Sequence, residues 1–296
     1  MDCAVAHRIV CDQFPEFAGV RPEYLGRGWD NFCVEYPNDI VFRLPTRKLG
    51  ADILRHEIAA LPIIASAIST PQVPEIRYVG ESQGGYPYAF IGYPKISGQT
   101  ADQIEWSHQD RLRAARVLGS FLRALHRVDP EQTALEDLPV DDPAKRDPSR
   151  ILEKLRTRLA LIESRKGPLS DTMLEALTAA ELAAEQQLHP CESCLIHGDL
   201  YPRHVVGQSG EIKGVIDWGD VQIGDPSIDL SIAYTFFQPE ERPAFWAAHG
   251  RPESDFNRPV MIARSAMYGF ALIAYGLEEA DHASVAMGEL ILSRLR

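Results

Sequence analysis

The segment LIHGDLYPRHVV, residues 195–206, carries an acid and two histidines within one predicted turn. Asp199 follows a short apolar run, and His204 stands five residues later. The turn QSGE and the strand-like run IKGVIDWGD come next and contain Asp217. Because strands joined by a short turn pair side by side, Asp199 and His204 are expected to lie near Asp217. Carboxylates that converge at strand ends suit a Mg²⁺ ion that bridges phosphate oxygens.

The same segment permits zinc as an alternative metal. Cys191, Cys194, His197 and His204 place four zinc-type ligands within fourteen positions. The spacing from Cys194 to His197 is too short for a zinc finger, and a strand between them would point alternate side chains apart. Zinc is therefore disfavoured, and His197 is expected to be a buried scaffold residue.

The region before residue 95 is predicted to be mainly β-structure. Residues 24–34 and 40–45 have the pattern of strands, the first interrupted by a glycine turn. Residues 51–68 carry apolar side chains at helical spacing, which predicts one helix. The strand-like runs 76–81 and 86–96 are separated by SQGG, which favours a hairpin.

The rest of the chain has a helical character. Residues 108–128 form a strongly amphipathic helical pattern. A helical insert is predicted at about 132–190, before a short island of strands that carries the acid-histidine segment. Helices are expected after residue 225. The chain is therefore expected to divide into lobes at 1–95 and 96–296, with the boundary near 92–98.

Three linked motifs give a resemblance to a known family. The run HGDLYPRH at 197–204, the run IDWGD at 216–220 and the run DPSID at 225–229 together resemble the catalytic loop and metal-binding aspartate of antibiotic phosphotransferases. These enzymes share the protein-kinase fold, whose loop pattern is H-R-D-x-x-x-x-N. The resemblance implies an α+β, bilobal protein-kinase-like fold. Its N-terminal antiparallel sheet lobe would carry one helix, and its larger C-terminal lobe would be mainly helical.

The resemblance also implies roles for the residues of the motifs. Asp199 would orient the acceptor hydroxyl and take its proton as the phosphoryl group moves. Asp217 would hold Mg²⁺ on the nucleotide phosphates, with His204 as the second metal ligand. Histidine at position 204 is similar to the 2''-aminoglycoside kinases and the macrolide kinases, whereas many other aminoglycoside kinases carry asparagine.

The resemblance extends to a nucleotide site for ATP or GTP in the N-terminal lobe. The predicted nucleotide-binding residues are Gly26, Gly28, Arg43, Glu57, Tyr93, Pro94, Lys95 and Ile96. Arg43 would contact the phosphates and pair with Glu57, and the backbone at 94–96 would hold the base. Taken singly, the run GRGWDN fits an ordinary tight turn, since it lacks the third glycine of G-x-G-x-x-G. Arg43 alone fits an edge strand, and Glu57 alone fits a solvated helix face.

The acceptor is expected to bind the insert and the helices that follow residue 225. The candidate substrate-binding residues are Asp220, Tyr234, Glu240, Glu278 and Glu279. Carboxylates would suit a polycationic aminoglycoside, which is the expected antibiotic. A macrolide 2'-phosphotransferase and a kinase of an amino alcohol or sugar are the alternatives. The acids at 278–281 fit a solvated helix end equally well.

The bulk composition narrows the class of protein. The 296 residues are 45% hydrophobic and 24% charged, which indicates a soluble globular protein. The formal net charge of −12 argues against nucleic acid as a partner. No secretory signal or membrane span is apparent, and the five cysteines fit free thiols in a reducing cytosol. A cytoplasmic monomer that binds a nucleotide and a small antibiotic is expected.

Overall fold

The computed structural model describes residues 1–28, 30–140 and 143–295. The helices, in chain order, are α1 (Cys3–Gln13), α2 (Lys48–Ala67), α3 (His108–Leu125), α4 (Pro143–Arg146), α5 (Pro148–Lys166), α6 (Asp171–Ala184), α7 (Ser227–Leu230), α8 (Ile232–Thr235), α9 (Arg242–His249), α10 (Arg258–Glu279) and α11 (His282–Ser293). The strands are β1 (Glu23–Arg27), β2 (Asn31–Tyr36), β3 (Ile40–Pro45), β4 (Tyr78–Gly80), β5 (Phe90–Pro94), β6 (Gln99–Thr100), β7 (Cys194–Ile196), β8 (Val205–Gln208), β9 (Glu211–Val215) and β10 (Gln222–Gly224).

The N-terminal lobe is built on an antiparallel sheet with strand order β1-β2-β3-β5-β4. Side chains alternate between the two faces of a strand, so Phe32, Val34 and Tyr36 of β2 share one buried face. Helix α1 covers this face with Ala6 and Val10. The opposite face is left to line a cleft, which is where the site lies.

The strands on either side of the lobe boundary belong to different sheets. β5 ends at Pro94 inside the first sheet, whereas β6, which begins at Gln99, pairs with β8 in a separate sheet of order β6-β8-β9. Gly98 lies at φ +136, and a Cβ added there would stand 2.5 Å from the carbonyl oxygen of Gly207. Glycine is therefore required where the chain crosses from one lobe to the other.

The C-terminal lobe is a helical bundle around α10. This helix packs against α5, α6 and α11, and its buried residues extend from Val260 to Gly276. By length and composition α10 could cross a membrane, which the sequence analysis did not anticipate. However, 78% of its most apolar 18-residue window is buried inside the protein, as in the core helix of a globular domain.

The architecture confirms the predicted α+β class, with a sheet lobe followed by a mainly helical lobe. The expectation of one helix in the first lobe is wrong, because α1 accompanies α2. Helix α1 buries only Ala6 and Val10, so its helical period is weak in the sequence. Its position is decided by the aromatic face that it covers.

Candidate active site

The loop that carries Asp199 is anchored from beneath by Asp229. This carboxylate is completely buried and accepts hydrogen bonds from the amides of His197 (2.8 Å) and Gly198 (2.9 Å). Gly198 lies at φ +84, and a Cβ there would stand 2.1 Å from the carbonyl oxygen of Asp220. The turn is therefore held in one conformation, which fixes where Asp199 emerges.

His204 lies between Asp199, the predicted catalytic residue, and Asp217, a predicted metal ligand. Its Nδ1 lies 2.7 Å from the carbonyl oxygen of Asp199, and its Nε2 lies 3.3 Å from Oδ2 of Asp217. Because a carbonyl oxygen can only accept, Nδ1 carries the hydrogen of this bond. Nε2 therefore faces Asp217. The structure brings Asp199, His204 and Asp217 together, as the strand pairing predicts.

Asp217 has an unusual backbone conformation and a perturbed carboxyl group. It lies at φ +63, in the left-handed region, two residues after the end of β9. Burial raises the pKa of its carboxyl, but His204 and Arg43 more than offset this effect, so the net pKa is below its ordinary value. Asp217 is therefore an anion that faces the cleft.

The side chains at this site fit an open Mg²⁺ site better than a site in which the protein supplies every ligand. Among residues 1–28, 30–140 and 143–295, no three His, Cys, Asp or Glu side chains are arranged to hold an ion. Mg²⁺ is usually held by one or two carboxylates and completes its shell with water and substrate phosphates. Asp217, with Nε2 of His204 beside it, suits that mode.

His197 does not complete a zinc site. Its Nδ1 accepts from the amide of Asp199 (3.3 Å), and its Nε2 contacts the carbonyl oxygen of Ile216 (2.9 Å). The side chain is fully buried, and burial lowers the pKa of its imidazole. Both ring nitrogens are thus used by the backbone, which gives His197 the scaffold role expected from the sequence.

Arg43 and Glu57 form a buried ion pair behind Asp217. Their side chains are 11% and 1% exposed, and Nη1 of Arg43 lies 2.7 Å from Oε2 of Glu57. Burial lowers the pKa of Arg43, but Glu57 reverses the effect and the net pKa is well above the ordinary value. Glu57 is therefore not on a solvated helix face. It holds a permanent cation at the back of the cleft.

A cavity of about 560 Å³ lies between the lobes. Among the predicted site residues, those that line it are Gly28, Arg43, Tyr93, Lys95, Ile96, Asp217 and Asp220. Gly26 and Pro94 are not part of this lining. The amide of Lys95 donates to the carbonyl oxygen of Asp39 (2.6 Å), and its Nζ pairs with Glu35 (2.7 Å). The Lys95 amide is therefore used within the sheet, which corrects the expectation that the whole backbone at 94–96 is free for a base.

The predicted substrate residues are not grouped in one place. Asp220 forms an ion pair with Lys145 of α4 at the mouth of the cavity. Tyr234 is 1% exposed and its hydroxyl bonds to Glu253, so it offers no surface to a substrate and that assignment is wrong. Glu240 is exposed in the turn before α9.

Glu278 and Glu279 are exposed in the last turn of α10. They lie ten or more residues beyond Tyr268, the residue of α10 that contacts Asp199. At the rise of an α-helix this places them about 15 Å further along the axis.

Three residues of the site are missed by the sequence analysis. Tyr268 donates to Oδ1 of Asp199 (2.6 Å), Arg264 lies beneath both, and Lys145 reaches Asp220 from the insert. Arg264 and Tyr268 are four residues apart within the apolar run of α10. Polar side chains on one face of an otherwise buried helix are the signal that could have found them.

The bilobal fold and the paired acids at an interlobe cavity define the class of nucleotide-dependent phosphotransferases. The family model described as the phosphotransferase enzyme family (APH) matches residues 23–262. The chain belongs to this family.

Two curated proteins are similar to part of the chain. Viomycin phosphotransferase of Streptomyces vinaceus is 29% identical over 194 residues, which cover 64% of this chain and 61% of that protein. The uncharacterized protein YcbJ of Bacillus subtilis is 40% identical over 53 residues, 18% of this chain and 17% of that protein. The chain thus spans less than two thirds of the length of each of these relatives.

Solved structures share the fold over nearly the full chain. The GDP complex of wild-type aminoglycoside 2'-phosphotransferase-IIIa has a TM-score of 0.69 and 24% identity, and covers 100% of this chain and 98% of that one. A macrolide 2'-phosphotransferase from Brachybacterium faecium has a TM-score of 0.58 and 24% identity, with 92% and 91% covered. These likenesses confirm the predicted kinase-like fold.

Proposed function

We propose that the protein is an NTP-dependent O-phosphotransferase that transfers the γ-phosphate to a hydroxyl of an aminoglycoside antibiotic. The observation that carries the proposal is the bridge from Asp199 through His204 to Asp217, which lines the interlobe cavity. Asp199, the base for the alcohol, and Asp217, the acidic ligand of a divalent ion, are thereby adjacent, as phosphoryl transfer requires.

In this proposal each residue has a defined task. Asp199 orients the acceptor hydroxyl and takes its proton. Asp217 and His204 hold Mg²⁺, and the chemistry that Mg²⁺ supplies when bound is neutralisation of charge on the phosphate oxygens. Arg43, fixed by Glu57, presents its guanidinium to the phosphates from the back of the cavity.

The donor is ATP or GTP. The cavity volume of about 560 Å³ is suited to a nucleotide, and Gly28 and Ile96 lie on its lining. Tyr93 also lines the cavity, and it directly precedes the backbone at 94–96 that is proposed to hold the base. Its bulky ring supports a test of GTP as well as ATP. Both donors are cytosolic, which supports a cytoplasmic location as part of the proposal, and a monomer is proposed with it.

The proposal of an aminoglycoside acceptor is supported by the relatives and by exposed acids of the C-terminal lobe. Solved relatives are named as complexes with kanamycin, gentamicin and streptomycin. The exposed acids Glu278 and Glu279 lie about 15 Å along α10 from Tyr268, so in this proposal they attract the ammonium groups of the distant part of such a substrate.

A macrolide is the second candidate, because an aromatic pair lies beside Asp199. Tyr201 and Tyr268 stack with ring centroids 4.6 Å apart and an interplanar angle of 14°. Tyr201 is partly exposed and is the member of the pair that would contact a large apolar ring, whereas Tyr268 is buried.

The test is a panel of aminoglycosides, viomycin and macrolides, each supplied with ATP or GTP and Mg²⁺, with mass spectrometry of the product. One drug class should gain one phosphate, and expression should raise the tolerance of a sensitive bacterium. Asp199→Ala should abolish both effects, whereas Asp12→Ala, an exposed aspartate of α1, should abolish neither. Phosphorylation of an amino alcohol or sugar, with no drug modified, would replace the antibiotic proposal by a metabolite kinase.

A further inference from the structure

The two oxygens of the Asp199 carboxylate have different surroundings. Oδ1 lies 2.6 Å from the hydroxyl oxygen of Tyr268. Oδ2 lies 3.7 Å from Nδ1 of His204, which donates instead to the Asp199 carbonyl oxygen. The side chain is 30% exposed, so a carboxylate that the protein binds at Oδ1 is also accessible to a ligand.

The hydrogen-bond direction at Tyr268 is fixed by Arg264. Nη2 of Arg264 contacts the Tyr268 hydroxyl and also donates to the carbonyl oxygen of Gly198 (3.1 Å). A guanidinium can only donate, so the tyrosine oxygen accepts from Arg264 and must send its own proton to Asp199. Burial raises the pKa of Tyr268 well above its ordinary value, which keeps this proton in place.

The tyrosine ring is itself held in position. Tyr268 is 6% exposed and stacks on Tyr201, whose ring contacts His204 edge-on with centroids 4.5 Å apart. Arg264 is 2% exposed, so the two donors of the chain, Arg264 and Tyr268, are both shielded from water. A hydrogen bond to a charged group is stronger in such surroundings than in water.

We propose that Tyr268 is a positioning residue for phosphoryl transfer: its hydroxyl holds Oδ1 of Asp199 and leaves Oδ2 turned towards the acceptor hydroxyl. The inference rests on the activity proposed above. The physical reason is that the terminal torsion of an aspartate is broad, so a partly exposed carboxylate without this bond would rotate among several orientations. Only some of these orientations can receive the proton of an acceptor.

The test compares Tyr268→Phe with Tyr86→Phe. Tyr268→Phe removes the hydroxyl and keeps the ring that stacks on Tyr201. Tyr86→Phe is the matched control, because Tyr86 is also buried and donates one hydrogen bond, to the carbonyl oxygen of Pro45 at 2.7 Å. Both variants lose a buried tyrosine hydrogen bond, but Tyr86 lies in the sheet lobe away from Asp199.

In Tyr268→Phe, kcat should fall by about tenfold to a hundredfold, the range expected for losing a hydrogen bond to a charged group. KM for both substrates and the stoichiometry of nucleotide binding by calorimetry should be unchanged. Tyr86→Phe should keep the kcat of the parent protein. A Tyr268→Phe enzyme with the parent kcat, or one whose loss appears in KM alone, would overturn the inference.

A crystal structure of Tyr268→Phe separates this inference from the proposed function. If the parent protein phosphorylates no acceptor, the proposed function fails, and the position of the Asp199 carboxylate still decides the role of Tyr268. A carboxylate that rotates or becomes disordered in the variant supports the role, and one that keeps its orientation overturns it.

Discussion

The substitution Asp229→Asn tests how the catalytic loop is held. The carboxylate of Asp229 is fully buried, and each of its oxygens accepts one loop amide, from His197 and from Gly198. An asparagine has one carbonyl oxygen, so one amide keeps a neutral acceptor and the other faces an NH₂ group.

The loss of stability in Asp229→Asn can be worked out from these contacts. Loss of one hydrogen bond to a charged acceptor and one buried amide left unpaired should lower the free energy of unfolding by about 3–5 kcal/mol. With a urea slope of about 3 kcal/mol per molar, the unfolding midpoint should fall by about 1–2 M. Displacement of Asp199 by a fraction of an ångström should lower kcat by up to about a hundredfold.

The pH dependence of stability provides a second test of the role of Asp229. Burial raises the pKa of Asp229, but the hydrogen bond and charge of His126 reverse this, so the pKa in the folded state is below its ordinary value. A depressed carboxyl pKa stabilises the fold above the unfolded pKa of about 3.9, and the stabilisation is lost as pH falls through the folded value. The difference in unfolding midpoint between the parent and Asp229→Asn should therefore be constant at neutral pH and shrink below about pH 4.

The assay combines urea unfolding, followed by circular dichroism, with steady-state kinetics. Asp225→Asn is the matched control, because Asp225 is equally buried but accepts from the amide of Ser227 and from Asn257. It should lose stability and retain kcat. If Asp229→Asn unfolds at the parent midpoint with the parent kcat, the loop does not depend on this carboxylate.

Substitutions at three further positions test the site. His204→Asn should retain more activity than His204→Ala, because an amide can still donate to the Asp199 carbonyl oxygen; equal rates would reduce His204 to a packing role. Glu57→Gln should lower the free energy of unfolding by about 3–5 kcal/mol in chemical denaturation, since it removes the carboxylate that pairs with the buried Arg43 charge, and unchanged stability would contradict the buried pair. Gly198→Ala should give little folded or active protein, because a Cβ would stand 2.1 Å from the Asp220 carbonyl oxygen and φ is +84; normal yield and kcat would show that the loop can move aside.

The order of the motifs along the chain was enough to predict the class of fold. The strands around the glycine turn, the helix with Glu57 and the hairpin before residue 95 follow from short-range patterns of apolar residues and turns. The approach of Asp199, His204 and Asp217 also follows locally, because β8 and β9 are joined by a two-residue turn. Helix α1 could not be predicted in the same way, since its burial depends on the sheet face that it covers.

The surroundings of Asp199 were decided by tertiary structure. The sequence separates Tyr268 from Asp199 by 69 positions and Lys145 from Asp220 by 75, and no local pattern links them. Tyr234 was predicted to bind substrate because it is an aromatic residue that follows the catalytic motifs. The tertiary structure instead packs it into the core. The spacing of residues along the sequence determines which face of a strand or turn each side chain occupies, because the backbone geometry of these elements is regular. Contacts between α10, the insert and the catalytic loop depend on how whole helices pack, and that is set by the summed burial of many side chains.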